Sequence, residues 1–439
     1  MKRIAILGNS IVGTKIIEEF RTSPESHQIT LVTFEGQLPY DHRLLPDYVN
    51  KKIQLSQVLY QPKEFYEECH AQVIMGKEVE RINFRRKQIM TAEKEAIPFD
   101  ILIITDTPAD KFPAIKGTTK TGVFSLRRLG DMAKVAESIP FLETVVVRIE
   151  GLRGLEMAIS LQERGKEVFA LCPEERLAAS LLGEEASSMI KEALEGKGIK
   201  IITDNKIVEI LGDSDVKAIK LRTGKVIACQ AVIFAGLLPD FRMYHDTPLK
   251  INDRIAVDAS FKTNLEYVYA AGDICEMEGR DGHAGRMFPP DELLEQGKVV
   301  AANLLGQEKN YVFPLMTDMV KIYDISVVVL GEACLQKGSP AFCQFNRDAN
   351  TYKQLFVDKG ILRGAVLINR EDEKESVLQM IGQEIDLSQF HVEQNPLEAK
   401  REPELSNPPE TGYRPDEPQG EGAENGGSHH GEFQQSKGL

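Results

Sequence analysis

The amino-acid sequence predicts an α/β protein with two nucleotide-type βαβ units. Three observations support this fold class. A glycine-containing turn, Gly8–Gly13, follows the first apolar strand, and a second strand–turn–helix unit starts at about residue 144. The tripeptide Ala271-Gly272-Asp273 follows a third short apolar run. Nucleotide-type turns this far apart in one chain indicate a large, bent ligand that is held at both ends.

The first unit carries most of a dinucleotide motif. Gly8 and Gly13 hold the outer positions of G-x-G-x-x-G, and Ser10 replaces the middle glycine. Serine is small, and its hydroxyl can donate to a phosphate at the positive end of a helix. Glu35 ends the second strand, where an acid accepts the ribose 2′-hydroxyl. The alternative is a plain βαβ turn with a solvated glutamate. The predicted strands and helix span residues 3–7, 13–21 and 29–34.

The second unit departs further from the motif. Gly151 and Gly154 are present, but Ile149 replaces the glycine that makes the tight turn. Glu150 places a negative charge near a pyrophosphate, and Cys172 stands where the ribose-binding acid is expected. This pattern predicts weak or absent nicotinamide dinucleotide binding. The alternative is a retained scaffold, with Gly154 kept for close helix–strand packing.

The C-terminal part of the chain changes character twice. Residues 312–390 alternate strands with turns and end in a helix at 374–381, which predicts an α+β domain. Residues 391–439 are rich in Pro, Gly, Glu, Asn and Gln. Such a segment cannot bury enough apolar surface to offset chain entropy, so we expect a disordered acidic tail.

Composition excludes several functional classes. The formal net charge of −14 argues against a nucleic-acid partner, and no apolar run is long enough to span a membrane. The first apolar stretch is too short for a signal peptide, so the cytoplasm is the default location. The six cysteines lack the spacing of a redox disulfide or of a metal site, so we expect no metal.

Seven short segments occur in the order that is typical of one family. They are Leu7–Gly13, Leu38–Pro46, Gly122–Arg127, Gly154–Ala158, Ala235–Asp240, Ala270–Ile274 and Glu295–Gly297. With these segments, residues 1 to about 390 resemble the FAD- and NAD(P)-dependent pyridine nucleotide-disulfide oxidoreductases. The similar branch contains NADH oxidase, rubredoxin reductase and the large subunit of nitrite reductase.

The resemblance implies two Rossmann-like domains, one inserted in the other. It implies an FAD-binding domain in two pieces (1–120 and 241–311), an NAD(P)-binding-like domain (121–240) and a C-terminal dimerisation-type domain (312–390). It also implies that the chain forms a homodimer or is a subunit of a larger redox complex.

The resemblance also implies cofactor contacts. Glu35 would bind the adenosine ribose, Asp273 the ribityl chain, and a helix starting near Glu295 would point at the flavin ring. The residues assigned to FAD are Gly8, Ser10, Gly13, Glu35, Arg43, Gly272, Asp273 and Gln296, and those assigned to NAD are Gly151 and Gly154.

Two segments depart from the family pattern. Thr105-Asp106-Thr107 replaces Ala-Thr-Gly, and His42 replaces an arginine that is displaced by one position to Arg43. No cysteine stands at the usual redox-active positions, and no catalytic residue is assigned.

Three functions remain open at this point. The chain is an FAD-dependent oxidoreductase or electron-transfer subunit that works with a redox partner protein or a small electron acceptor and binds NAD(P)H weakly. Alternatively, it is a complete NADH-dependent reductase in which Arg148 or Arg153 contacts the phosphates. The third alternative is a scaffold that has lost its cofactors. A yellow colour of the purified protein would distinguish the first two functions from the scaffold. Bleaching of that colour by NADH would distinguish the complete reductase from the electron-transfer protein.

Overall fold

The computed structural model describes residues 1–22, 27–277, 288–333, 341–388 and 391–393. The contacts form one compact unit from Met1 to Asn395. Cys334 lies outside the described residues. So does the rest of the predicted tail, residues 394–439. No helix among the described residues is long and apolar enough to cross a membrane.

The first part of the chain begins with a βαβ unit. Its elements are β1 (Arg3–Leu7), α1 (Ile11–Arg21), β2 (Gln28–Val32), α2 (Leu45–Val49), α3 (Leu55–Val58), α4 (Lys63–Glu68), β3 (Ala71–Ile74), β4 (Val79–Asn83), β5 (Gln88–Thr91), β6 (Ala96–Pro98), β7 (Ile101–Ile104) and β8 (Asp110–Lys111).

The middle part repeats this alternation. Its elements are β9 (Val123–Ser125), α5 (Leu129–Ser138), β10 (Thr144–Arg148), α6 (Arg153–Glu163), β11 (Glu167–Leu171), α7 (Glu184–Gly196), β12 (Lys200–Ile202), β13 (Ile207–Leu211), β14 (Ala218–Leu221), β15 (Val226–Ala228), β16 (Ala231–Phe234) and β17 (Leu238–Pro239).

The last part is mainly β-structure. Its elements are β18 (Ile255–Val257), β19 (Val268–Ala270), β20 (Cys275–Met277), α8 (Pro290–Leu304), β21 (Thr317–Ile322), β22 (Ile325–Gly331), β23 (Ala341–Asn346), β24 (Thr351–Asp358), β25 (Ile361–Ile368), α9 (Lys374–Met380) and β26 (His391–Glu393).

Two parallel sheets confirm the predicted α/β class with two Rossmann-like domains. The first has the strand order β19-β7-β1-β2-β3, so a strand from late in the chain joins strands from its beginning. The second has the order β12-β11-β10-β16-β9 and lies between them in sequence. Parallel strands are buried on both faces, which explains the continuous apolar runs of β1, β7 and β16.

The C-terminal sheet has six antiparallel strands in the order β21-β22-β25-β24-β23-β26. This arrangement corrects one boundary of the sequence analysis. Residues 391–393 were assigned to the disordered tail, but they pair with β23 at the edge of this sheet. The short strand escaped prediction because its pairing depends on a distant strand rather than on its own composition.

The start of α8 is a second correction. The family resemblance implied a helix beginning near Glu295, but α8 begins at Pro290. Proline lacks a backbone N–H and has a fixed φ, so it is favoured in the first turn of a helix. Glu295 therefore lies within the helix, where its carboxylate contacts Lys309 and Lys298.

Candidate functional site

The first glycine turn has the geometry of a phosphate-binding turn. Gly8 has φ +129°, and an added Cβ would lie 2.5 Å from the backbone nitrogen of Asp106. Only glycine therefore fits there. A Cβ on Gly13 would lie 2.9 Å from Cγ2 of Ile6, because α1 packs closely on β1. Ser10 caps α1, since its Oγ accepts a hydrogen bond from the N–H of Val12 at 3.3 Å.

Glu35 is held by groups of the protein. Its Oε1 accepts from the hydroxyl of Tyr40 at 2.6 Å, and its Oε2 accepts from the N–H of Gly130 at 3.0 Å. Burial raises the pKa of the Glu35 carboxyl group. The buried Asn9 fixes the same loop, because its Oδ1 accepts from the N–H groups of Phe34 and Glu35 at 3.0 and 3.3 Å. The predicted ribose acceptor is thus already engaged at both oxygens.

Arg128 is held by several hydrogen bonds at the carboxyl edge of the first sheet. Its guanidinium donates to both carboxylate oxygens of Asp110 at 3.1 and 3.2 Å and to the carbonyl of Thr107 at 2.9 Å. It also donates to Asp106 at 3.3 Å and lies 3.7 Å from Glu35. Burial acts against the charge, but the carboxylates of Asp106 and Asp110 outweigh it and raise the pKa of Arg128.

Arg127 completes this group of charges. Its guanidinium lies 3.3 Å from Asp110 and 3.5 Å from Asp106. We call the five residues the arginine–carboxylate cluster: Glu35, Asp106, Asp110, Arg127 and Arg128. Three carboxylates here face two guanidinium groups. Asp110 and Arg128 were not singled out from the sequence, although the tandem arginines directly after β9 are a visible signal.

Asp273 lines the same cavity as Asp106, Arg127 and Arg128. Its side chain is mostly buried, and its Oδ1 accepts from the N–H of Phe288 at 2.8 Å. Gln296 does not line the cleft. It is 1% exposed, and its Oε1 accepts from the N–H of Gly272 at 2.7 Å, so it supports the turn before Asp273. Arg43 pairs with Asp41 of its own turn at 3.0 Å.

Two cationic or polar side chains near Asp273 have atoms without a partner. Nε2 of His42 and Nη1 of Arg254 are buried and make no hydrogen bond to the described residues. Burial lowers the pKa of both groups, while the charge of Asp273 acts in the opposite direction. Arg254 is 4% exposed, so its guanidinium is desolvated without an ion pair within the described part of the chain. Buried polar groups without a hydrogen-bond partner are rare in proteins, so these two require a specific explanation.

The cavity between these groups is small. We call it the nucleotide cleft; its lining includes Asn9, Ser10, Tyr40, His42, Thr105, Asp106, Arg127, Arg128, Asp273, Phe288 and Leu293. Its volume is about 40 Å³, room for roughly three water molecules. Pockets for larger ligands span ~300–1,000 Å³. The polar groups of a dinucleotide site therefore line a small cavity between the described residues.

The charged side chains around the second glycine turn are paired within the protein. Ile149 is 1% exposed and packs beside Gly154, whose added Cβ would lie 3.1 Å from Cγ2 of Ile149. Arg148 forms an ion pair with Glu150, and Arg153 pairs with Glu156 at 3.1 Å and with Asp318. Both arginines proposed as phosphate ligands are thus engaged with carboxylates. Gly151, at φ +72°, keeps the turn conformation that favours glycine.

The thiols of the described residues do not form a redox centre. The five cysteines in the described part of the chain are free, and no group of His, Cys, Asp and Glu there has the arrangement of a metal site. Burial raises the pKa of Cys275, beside the cleft, to about 12, and that of Cys229 also to about 12. A thiol with so high a pKa carries almost no thiolate near neutral pH and is a poor nucleophile.

The paired parallel sheets, each with a glycine turn at its carboxyl edge, define a two-domain dinucleotide oxidoreductase fold. Residues 2–290 match the family model described as pyridine nucleotide-disulphide oxidoreductase, and the chain belongs to this family of FAD-dependent oxidoreductases. FAD is the cofactor of the family, and NAD(P)H is its substrate.

Curated relatives include electron-transfer reductases. The chain is 25% identical over 391 residues to nitrite reductase [NAD(P)H] of Bacillus subtilis. The matched region covers 88% of this chain and 48% of the relative. It is also 25% identical to rubredoxin-NAD(+) reductase of Alcanivorax borkumensis, over 84% of this chain and 95% of the relative. The chain therefore spans about half the length of the first relative.

Solved structures share the fold. A ferredoxin reductase from Rhodopseudomonas palustris has a TM-score of 0.76 at 21% identity, covering 88% of this chain and 96% of that one. The putidaredoxin reductase–putidaredoxin complex also has a TM-score of 0.76, at 18% identity, covering 87% of this chain and 94% of that one.

Proposed function

We propose that this chain is a flavin-dependent electron-transfer protein that exchanges electrons with a protein partner and uses NAD(P)H poorly. The observation that carries the proposal is the difference between the two glycine turns. The first keeps Gly8 at a positive φ, a capped helix N-terminus and the buried Asp273 at the same cavity. In the second, an isoleucine fills the tight turn and both arginines are paired with carboxylates.

The retained residues suit an FAD molecule that enters after the cleft widens. The N-terminus of α1 would face the pyrophosphate, because unpaired N–H groups and the helix dipole favour negative charge there. Asp273 would accept from the ribityl hydroxyls. When bound, FAD supplies the electron-accepting ring, whereas the residues named here only bind and orient it.

A protein partner is supported by the relatives. One is named as an assimilatory nitrate reductase electron transfer subunit, and another is named as a rubredoxin-NAD(+) reductase. The described cysteines offer no thiolate for a disulfide or persulfide reaction. An external acceptor is therefore the simplest destination for the electrons.

The test compares two reductants. Protein purified with excess FAD is reduced without oxygen by NADH, by NADPH or by dithionite, and the flavin absorbance is followed. We expect dithionite to bleach the flavin completely and both nucleotides to bleach it slowly. Complete bleaching within a second at micromolar NADH would favour the complete NADH-dependent reductase.

A second candidate function is favoured by the small volume of the nucleotide cleft. A scaffold that has lost its cofactor would keep the fold and the partner surface with the cleft closed. Protein that stays colourless after refolding with excess FAD would support this alternative.

A further inference from the structure

The arginine–carboxylate cluster lies where the fold would place the diphosphate of a dinucleotide. In dinucleotide-binding folds the pyrophosphate lies over the first glycine turn, at the N-terminus of the following helix. Asp106 packs directly on this turn: a Cβ on Gly8 would lie 2.5 Å from the backbone nitrogen and 2.6 Å from the Cβ of Asp106. Asp106, Arg127 and Arg128 all line the nucleotide cleft.

The carboxylates of the cluster occupy donors that would suit a diphosphate. Arg128 makes a two-pronged contact with Asp110 at 3.1 and 3.2 Å, and Asp106 lies between both guanidinium groups at 3.3 and 3.5 Å. Guanidinium binds carboxylate and phosphate with the same planar, two-pronged geometry. Asp106, which lines the cleft, and the more deeply buried Asp110 thus occupy guanidinium donors that would suit a diphosphate.

The cluster is also shielded from solvent. The side chains of Arg127 and Arg128 are 14% and 11% exposed, and those of Asp106 and Asp110 are 13% and 1% exposed. Buried opposite charges attract each other more strongly than exposed ones, so these contacts compete effectively with an incoming anion. Exposed ion pairs would offer no such competition.

We propose that Asp106 and Asp110 form an internal latch that holds Arg127 and Arg128 in place of the diphosphate of a bound ADP moiety. The ligand class is a molecule containing ADP, with FAD as the member that the proposed function requires; to that extent the inference rests on the proposed function. FAD then binds as an exchangeable ligand that must displace the two carboxylates. The latch accounts for a cleft that has the polar groups of a nucleotide site but space for only a few waters.

The test uses Asp106→Asn in the full-length chain and measures equilibrium binding of ADP by calorimetry and of FAD by fluorescence quenching. Asparagine keeps the size of the side chain and an oxygen for the N–H of Thr107, which donates to Asp106 at 2.8 Å. The substitution removes the negative charge that repels a diphosphate. We expect affinity for ADP and FAD to rise at least about tenfold, as loss of one close like charge implies.

Asp100→Asn is the matched control. Asp100 precedes β7 and Asp106 follows it, so the two carboxylates lie at opposite ends of one strand. Asp100 is also paired with an arginine, Arg3, at 2.7 Å. We expect Asp100→Asn to leave ADP and FAD affinity at the wild-type value.

The outcomes separate the latch from the proposed function. If Asp106→Asn binds ADP more tightly while no variant holds FAD, the latch stands and the flavin-dependent function fails. Unchanged or weaker ADP binding in a folded Asp106→Asn protein overturns the latch, whatever happens with FAD.

A measurement on the wild-type chain covers the case of a variant that does not fold. Opening of a latch before binding limits the association rate, so the observed rate of ADP binding should reach a plateau as the ADP concentration rises. A rate that stays linear in ADP up to the fastest measurable value contradicts the latch.

Discussion

Asp273 and Cys275 lie two residues apart and have different surroundings. Asp273 lines the nucleotide cleft, whereas the Sγ of Cys275 donates to the carbonyl of Gly272 at 3.3 Å and its thiol has a pKa raised by burial to about 12. We expect Asp273→Ala to weaken FAD binding by ~1.5–3 kcal/mol, the value of a hydrogen bond to a charged group. Cys275→Ala should leave the affinity unchanged.

For these two variants we would measure the FAD that each protein retains after dialysis at increasing dilution. Asp273 also accepts from the buried N–H of Phe288, so thermal melting must accompany the measurement. Asp273→Asn keeps an acceptor for that N–H and separates the loss of charge from the loss of packing. Equal flavin content in the Asp273 and Cys275 variants would refute the assignment of Asp273.

His42 predicts a dependence of stability on pH. Burial lowers its pKa from 6.5, and the charges of Arg127 and Arg43 act in the same direction, against Asp273 and Asp41. The folded state therefore disfavours the proton that the unfolded chain accepts. The contribution to stability is full above the unfolded pKa and is lost as the pH falls through the lowered folded value.

We expect the free energy of unfolding of the wild type to fall more steeply than that of His42→Gln between about pH 7.5 and about pH 5.5. Urea unfolding at the two pH values measures the difference. Parallel slopes in the two proteins would mean that His42 does not titrate differently in the folded state.

Residue identity predicted the first glycine turn better than it predicted the contacts around it. Gly8 and Gly13 were visible in the sequence because a motif requires glycine at fixed spacing. The bonds from Asp110 to Arg128 and from Gln296 to Gly272 connect residues 18 and 24 positions apart in different elements. No local pattern reports such contacts, so Asp110 was missed and the place of Gln296 under the Gly272 turn was not foreseen.

At the scale of elements, the start of α6 packs closely on its neighbours at Gly154. An added Cβ would lie 2.9 Å from the Cβ of Ala235 and 3.1 Å from Cγ2 of Ile149. Overpacking of this kind costs about 1–3 kcal/mol, so we expect Gly154→Ala to lower the free energy of unfolding by that amount. Gly196→Ala, at the end of α7 with nothing within 4 Å of the new Cβ, is the matched control.

The control variant should be neutral or more stable, because alanine is favoured over glycine in a helix by ~0.5–1 kcal/mol. Chemical denaturation of both variants provides the comparison. A Gly154→Ala protein as stable as the wild type would show that Ala235 and the Ile149 side chain can move away from α6.

Elements with a clear period were predicted to within a few residues. The helix expected at 13–21 spans Ile11–Arg21, and the strand expected at 29–34 spans Gln28–Val32. Both carry apolar residues at the spacing that their secondary structure requires. The start of α8 was expected near Glu295, five residues after its actual start at Pro290. That expectation came from a family segment and not from the helix-start signal at the prolines.

At the scale of the whole molecule, β26 makes the C-terminal boundary testable. Residues His391–Glu393 pair with Ala341–Cys343 at the edge of the six-stranded sheet. A chain ending at residue 395 keeps this strand, whereas a chain ending at residue 390 leaves the edge of β23 unpaired. We expect the longer chain to unfold like the full-length protein and the shorter one to lose about 1–3 kcal/mol, the net value of a few backbone hydrogen bonds.

Cys343 gives this comparison a local readout. It lies on β23, is 4% exposed and pairs in register with His391. Loss of β26 should make its thiol react faster with a thiol reagent in the shorter chain, while the longer chain should react at the full-length rate. Replacing Cys343 with Ala identifies the thiol that reacts. If both truncated chains melt and react alike, β26 contributes nothing to the sheet and the boundary belongs at residue 390, as the composition of the segment first indicated.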